Sequence, residues 1–423
     1  MKNISERDKK HLWHPLTQHK LHPESLAVTR AKGAVLYDEN DKTYIDGIAS
    51  WYTCVYGHCN DFIIQKAYEQ MQRLDHVVFS GFTHEPAVAL SEALMDILPD
   101  NQEKLFFSDN GSTASDVAIK MALQYHFNRG NKRNVLVAFE EGFHGDTFGA
   151  MSVSGLSVYN GPFEDFFLSV ERIPVPDGEN NREVADKLRS IVEKGTVAGF
   201  IYEPLVQGAA AMRMHDAEGL NALIGICKEH DVVTIADEVM TGFGKTGKYF
   251  ASEYMRHKPD IMSMSKALTA GMLPMAITSC TQEIYDAFYS DDISKGLFHG
   301  HTYSANPVAC SVALAGITLL RSEEMQAHIQ RVTEAHRRFD EEMKHHPKVA
   351  STRQLGVIYA LDLRVKMERY GNLRDKLFRF FMGNGVFLRP LGNTIYILAP
   401  YVVTDEQLQQ IYNVIGRALD EVL

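Results

Sequence analysis

The chain has 423 residues, 45% of them hydrophobic and 23% charged, with a formal net charge of -11. That length exceeds one ordinary core, so two domains or one large α/β domain with additions is expected. The acidic balance argues against nucleic acid as the main partner, because phosphate binding needs clustered Lys and Arg. No unbroken apolar run reaches the roughly 18 residues of a membrane helix, and the opening MKNISERDKKHLWHP lacks the apolar stretch of a secretion signal.

Taken in chain order, residues 34–46 (AVLYDENDKTYID) predict a hairpin around Glu39-Asn40-Asp41. Cys54, Cys59, Cys227, Cys280 and Cys310 are few, odd in number and scattered, which fits reduced cytoplasmic thiols rather than a disulfide framework. His58 and Cys59 beside Cys54 have no second cluster with zinc-like spacing, so no metal is expected. Lys104–Ser108 (KLFFS) predicts a strand, and Thr113–Phe127 a helix opened by a Thr113-x-x-Asp116 capping pattern. Asn134–Phe139, Val197–Tyr202 and Val232–Ala236 predict further strands, with an amphipathic helix over Leu220–His230. Uninterrupted apolar strands joined by helices predict an α/β fold with a mostly parallel sheet covered on both faces. After Asn306-Pro307 a long helical stretch breaks near 320. A strand over Val357–Leu363, a helix near 372–383, strands at Gly385–Arg389 and Thr394–Leu398, and a helix from about 404 follow. The expected organisation is an N-terminal segment (1–54) packing with a smaller α+β domain (311–423), and a large α/β domain between them (55–310).

Asp237 ends an apolar strand, where open α/β sheets bind ligands. A helix N-cap is an equally good reading of its position. The pair Asp237-Glu238 followed by Gly244-Lys245-Thr246 imitates nucleotide-binding motifs. A P-loop, however, needs glycine where Val239 stands and must precede the acidic pair. The stretch Asp109-Asn110-Gly111-Ser112-Thr113 sits where a strand gives way to a helix, and glycine with helix N-terminal amides suits a phosphate. Lys266 stands alone in SMSKALTAGMLPM, flanked by Met262, Met264 and Leu268. By itself it reads as a surface lysine. A lysine, a strand-end aspartate and a phosphate-type loop together suit pyridoxal phosphate, which binds a lysine amine and needs a carboxylate at its ring nitrogen. Apolar neighbours would keep enough of the amine neutral.

IADEVMTGFGKTG followed by SMSKAL resembles the class III aminotransferases of the fold-type I pyridoxal phosphate enzymes. GFHGDTFGAMSV (142–153), IYEPLVQG (201–208) and HGHTYSANPVAC (299–310) match the same family, and the resemblance covers nearly the whole chain. HLWHPLTQ (11–18), ASWY (49–52) and GVFLRP (385–390) narrow it to members that aminate 8-amino-7-oxononanoate in biotin synthesis, usually with S-adenosylmethionine as donor. The resemblance implies that Lys266 is the cofactor-bound lysine and proton carrier and that Asp237 pairs with the ring nitrogen. Gly111 and Ser112 would hold the phosphate, Phe143 and Val239 would cover the two ring faces, and Gln207 would reach the ring hydroxyl, with Glu203 behind. A second subunit would add Thr302, with Gly300 and His301 beside it, so a homodimer is implied. Arg389 would bind the substrate carboxylate, and Trp51 and Tyr52 would line its aliphatic part. Taken singly, Trp51, Tyr52 and Phe143 read as core aromatics, Arg389 as a surface arginine and His144 as a structural histidine.

Three positions depart from the family pattern: Phe143 and Leu16 where tyrosine is common, and Lys245 where arginine is common. Arg and Lys are not interchangeable, which leaves lysine beside S-adenosylmethionine as donor. The alternatives are an ω-amino acid or ornithine-type aminotransferase of the same class, or a cofactor-free scaffold. Retention of both Lys266 and Asp237 argues against the scaffold.

Overall fold

The computed structural model describes residues 4–22, 25–157, 160–366 and 372–423. Its centre is a seven-stranded sheet in the order Lys104–Ser108, Ala276–Cys280, Ile261–Met264, Val233–Asp237, Val197–Tyr202, Val135–Phe139, Val170–Ile173. Ala276–Cys280 is antiparallel to both of its neighbours, and the other pairings are parallel. Alternate side chains leave opposite faces of a strand, and here both faces are dry. Leu136, Ala138 and Ile235 pack under the helix Gly111–Asn128, whereas Val137, Phe139 and Ala236 join the larger core on the other face. That two-sided burial is why the strand sequences are continuous apolar runs.

The remaining strands form smaller sheets at the periphery. Val28–Lys32, Val35–Asp38 and Thr43–Asp46 make an antiparallel meander, and Val386–Phe387 adds to it in parallel beside Thr43–Asp46. The expected hairpin at 34–46 is present. Near the C-terminus, Val349–Leu355, Ile358–Leu363 and Thr394–Ile397 form a three-stranded antiparallel sheet. The break near 320 separates the helices Pro307–Leu320 and Glu323–Met343, and the second is restarted by the Ser322 side chain accepting from Met325 N. No helix among the described residues is long and apolar enough to cross a membrane.

Two local expectations need correction. The helix expected from Thr113 begins at Gly111, and its cap is Asn110. Asn110 Oδ1 accepts Thr113 N at 3.1 Å and Thr113 Oγ1 accepts Asn110 N at 3.2 Å, so Thr113 closes the capping box rather than opening it. Asp237 caps no helix. It is the last residue of its strand and its carboxylate turns inward.

Candidate active site

The parallel register sets the floor of the site. Ala236 lies opposite Tyr202 and Asp237 opposite Ser263, so Glu203, Asp237 and the residues after Met264 emerge together at the carboxyl edge of the sheet. Asp237 is buried. Its Oδ2 is 2.7 Å from His144 Nδ1, and its Oδ1 accepts Val239 N at 3.0 Å. Glu203, also buried, accepts Phe143 N at 3.0 Å and Gly208 N at 3.1 Å. Burial raises the Glu203 carboxyl to about 7 against the opposing pull of His144, and Asp237 adds to the rise. The two amide bonds nevertheless fix the segments carrying Phe143 and Gln207.

Lys266 opens a 3-10 turn after the Ile261–Met264 strand, with φ of 50°. Ser265 anchors this turn through Oγ to Met275 O at 2.8 Å. Burial lowers the Lys266 amine below the usual lysine range, while Asp237 and then Glu203 pull the other way. No carboxylate among the described residues forms an ion pair with it. Tyr52 stands across from it, its ring centre 5.9 Å from Nζ, and packs in turn against Tyr396. Arg389 lies 5.0 Å from the Trp51 ring.

On the other side of Asp237, the N-terminus of the Gly111–Asn128 helix approaches Val239. A Cβ on Gly111 would fall 2.9 Å from Val239 Cγ1. Ser112 Oγ accepts Asp146 N at 3.1 Å. A Cβ on Gly145 would overlap Ser112, so only glycine lets that loop close over the helix start. Gln207 is fully buried, yet neither its amide nitrogen nor its oxygen has a hydrogen-bond partner. Such a group costs roughly 1–3 kcal/mol unless something else completes it. The unpaired Gln207 amide, the helix start at Gly111 and the buried Lys266 amine whose charge Asp237 supports have the chemistry to suit a phosphorylated, carbonyl-bearing ring cofactor.

One family model, aminotransferase class III, matches residues 17–419. The chain belongs to the class III aminotransferases. Among relatives of this class III chain, the adenosylmethionine-8-amino-7-oxononanoate aminotransferase of Synechococcus elongatus is 42% identical over 97% of this chain and 99% of its own. The enzyme of the same name from Geobacter sulfurreducens is 35% identical over 99% and 98%. The crystal structure of the Methanocaldococcus jannaschii enzyme of that name superposes with a TM-score of 0.94 at 32% identity, covering 99% of both chains. A transaminase from the marine bacterium Virgibacillus gives 0.92 at 27%, covering 99% of this chain and 98% of its own. The fold is therefore the mostly parallel α/β architecture of the class III enzymes, and the chain is an aminotransferase.

Of the residues singled out from sequence, Tyr52 faces Lys266, Trp51 lies beside Arg389, Gly111 lies against Val239, and Val239 N bonds Asp237. The loop Gly300-His301-Thr302 makes local bonds instead, with Ser304 Oγ and Tyr303 N reaching His301. Leu16 is exposed and has φ of 51°. Lys245 is fully buried, donates to Gly242 O at 2.8 Å, and is lowered to about 7 by burial and then by Lys266. Sequence reasoning set His144 aside, yet it grips Asp237; its place directly after Phe143 in GFHG was the available signal. Tyr396 carried none, being one more residue of an apolar strand.

Proposed function

We propose that this aminotransferase moves an amino group from S-adenosylmethionine to the ketone of 8-amino-7-oxononanoate, giving 7,8-diaminononanoate, with pyridoxal phosphate as cofactor. The observation that carries the reading is end-to-end identity of 42% with a relative named for that substrate and donor. The cofactor, when bound, supplies an aldehyde that exchanges amino groups and a ring that draws electrons from the reacting carbon. The helix start at Gly111 and Ser112 would hold its phosphate, Phe143 and Val239 its ring faces, and Gln207 its ring hydroxyl.

The chain's own groups then divide the work. Lys266 Nζ, whose charged form burial disfavours, accepts the proton from the donor carbon. In the second half-reaction it returns a proton to the carbon that was the ketone. Asp237, held by His144 and Val239 N, would pair with the cofactor's ring nitrogen. Arg389 binds the oxo-acid carboxylate through its planar fork, and Trp51 and Tyr52 flank the aliphatic chain. The loop Gly300-His301-Thr302 serves the partner's site in a homodimer. The exposed Phe82, Phe298 and Tyr303 support a subunit contact near it. The reaction belongs in the cytoplasm.

A coupled assay offering S-adenosylmethionine and lysine separately tests the donor. Efficient turnover of pyruvate or 2-oxoglutarate would favour the ω-amino acid alternative. Borohydride reduction followed by peptide mapping should tag Lys266, and Lys266→Ala should abolish turnover in a folded protein. A tag on another lysine would overturn the cofactor assignment.

A further inference from the structure

The aromatic wall of the site rests on an unusual piece of backbone. Ala49, Ser50, Trp51 and Tyr52 have φ values of 46°, 45°, 71° and 72°, one left-handed turn without a glycine. Side chains other than glycine are strained there, and such geometry persists only where its surroundings impose it. Locally, Tyr52 N donates to Ile48 O and Thr53 N to Ala49 O, both at 2.9 Å, Cys54 N donates to Ala49 O at 3.0 Å, and Thr53 Oγ1 donates to Ser50 O at 3.0 Å; these bonds close the turn but do not tie it to the rest of the fold.

The imposing group lies directly beneath. Asp46 is fully buried at the end of the Thr43–Asp46 strand. Its Oδ1 accepts Ile48 N at 3.2 Å. Its Oδ2 accepts Ser50 Oγ at 2.8 Å and lies 2.8 Å from His58 Nε2. His58 is itself pinned by two backbone bonds with Gly33, at 2.7 and 3.0 Å. One carboxylate thus ties both the entry and the interior of the turn to a histidine anchored in another segment. Cys54, just after the turn, abuts the loop that follows Lys266, where a Cβ on Gly271 would fall 2.6 Å from its sulfur.

We propose that Asp46 and His58 are positioning residues that clamp this left-handed turn and thereby set the substrate-binding wall formed by Trp51 and Tyr52. The proposal deepens the functional reading above and rests on it for the identity of the substrate. Neither Asp46 nor His58 touches the reacting atoms. Their effect runs through Trp51, beside Arg389, and Tyr52, facing Lys266. Loss of the clamp weakens substrate binding more than it slows chemistry.

The chain has two tryptophans, Trp13 and Trp51, so a Trp13→Phe background leaves Trp51 as a direct reporter of the turn. In the holoenzyme of that background, His58→Gln should raise the KM for 8-amino-7-oxononanoate by about tenfold or more. It should keep kcat within about twofold and leave the visible absorption of bound pyridoxal phosphate unchanged. Acrylamide quenching of Trp51 should increase. Ser50→Ala, which removes the Ser50 Oγ contacts with Asp46 and His58 and leaves Asp46 paired with His58, should move KM and quenching in the same direction by less, and it carries the test if His58→Gln does not fold. Unchanged KM and quenching would overturn the proposal. So would parallel loss of kcat and cofactor absorption, which would mark a purely structural role. If the parent enzyme does not turn over the oxo-acid, the substrate reading fails, and quenching alone decides the clamp.

Discussion

Asp237 is held at both carboxylate oxygens, by His144 on one side and by the Val239 amide on the other. A carboxylate fixed in this way presents its charge without reorganising during the reaction, which is where electrostatic stabilisation is strongest. Asp237→Asn keeps the shape and removes the charge. It should leave the fold intact and lower kcat by roughly a hundredfold or more; an unchanged rate would remove Asp237 from the chemistry. His58 gives a prediction of a different kind. Burial opposes its charge, but the hydrogen bond to Asp46, then that with Cys54, raises it from 6.5 to about 10. The folded protein therefore keeps a proton that the unfolded chain releases, so the stabilising contribution is complete below pH 6.5 and is lost as pH rises through about 10. The melting-temperature gap between the parent and His58→Gln should be level at acid pH and shrink from pH 6.5 towards 10. A gap that widens over that range would mean that His58 is neutral in the folded state. Lys266 stood out in the sequence as a lone amine among apolar neighbours, and Asp237 because it ends an apolar strand. Tyr396 was not legible, because an aromatic in a buried strand looks the same whether it packs a core or backs a site.

At the scale of elements, the hairpin between Val349–Leu355 and Ile358–Leu363 shows how a turn can carry long-range contact. Its Gly356 has φ of 58°, and a Cβ there would overlap the backbone of Thr246 and Gly247. Val357 N also donates to Lys245 O at 2.9 Å. Backbone cannot move aside as a side-chain tip can, so Gly356→Ala should destabilise by about 3 kcal/mol or more in urea unfolding. Gly178→Ala is the control. Its φ of 95° is also positive but nothing lies within 4 Å of the added carbon, so only conformational strain of about 1 kcal/mol is expected. Equal losses in the two variants would show that the Gly356 contact is unimportant. Strands Val197–Tyr202 and Lys104–Ser108 were readable from their apolar runs. Strand Val349–Leu355 was missed, because VASTRQL is mostly polar and half exposed and depends on its neighbour for its conformation. The left-handed turn at Ala49–Tyr52 was also invisible. ASWY contains no glycine, and what forces the conformation is a carboxylate that only tertiary structure brings beneath it.

For the whole molecule, the α/β layering followed from strand–helix alternation, but the sheet order did not. Ala276–Cys280 enters antiparallel between two strands, and nothing in its own residues states a direction. We propose the division into 1–54, 55–310 and 311–423 as the working domain plan. Pairing of Val386–Phe387 with Thr43–Asp46 supports grouping the first and last segments. The protein should sediment at twice the chain mass at micromolar concentration, and a fully active monomer would remove the partner's loop from the site.

The unpaired Gln207 amide has a bearing on the life of the protein in the cell. A ligand that binds only the native chain lends it stability by mass action, and here it would also satisfy a polar group that otherwise weakens the empty form. If that ligand is the proposed vitamin-derived cofactor, copies that have captured it should resist proteases longer than copies still waiting for it. Scarcity of the vitamin would then thin the enzyme population itself as well as idle it.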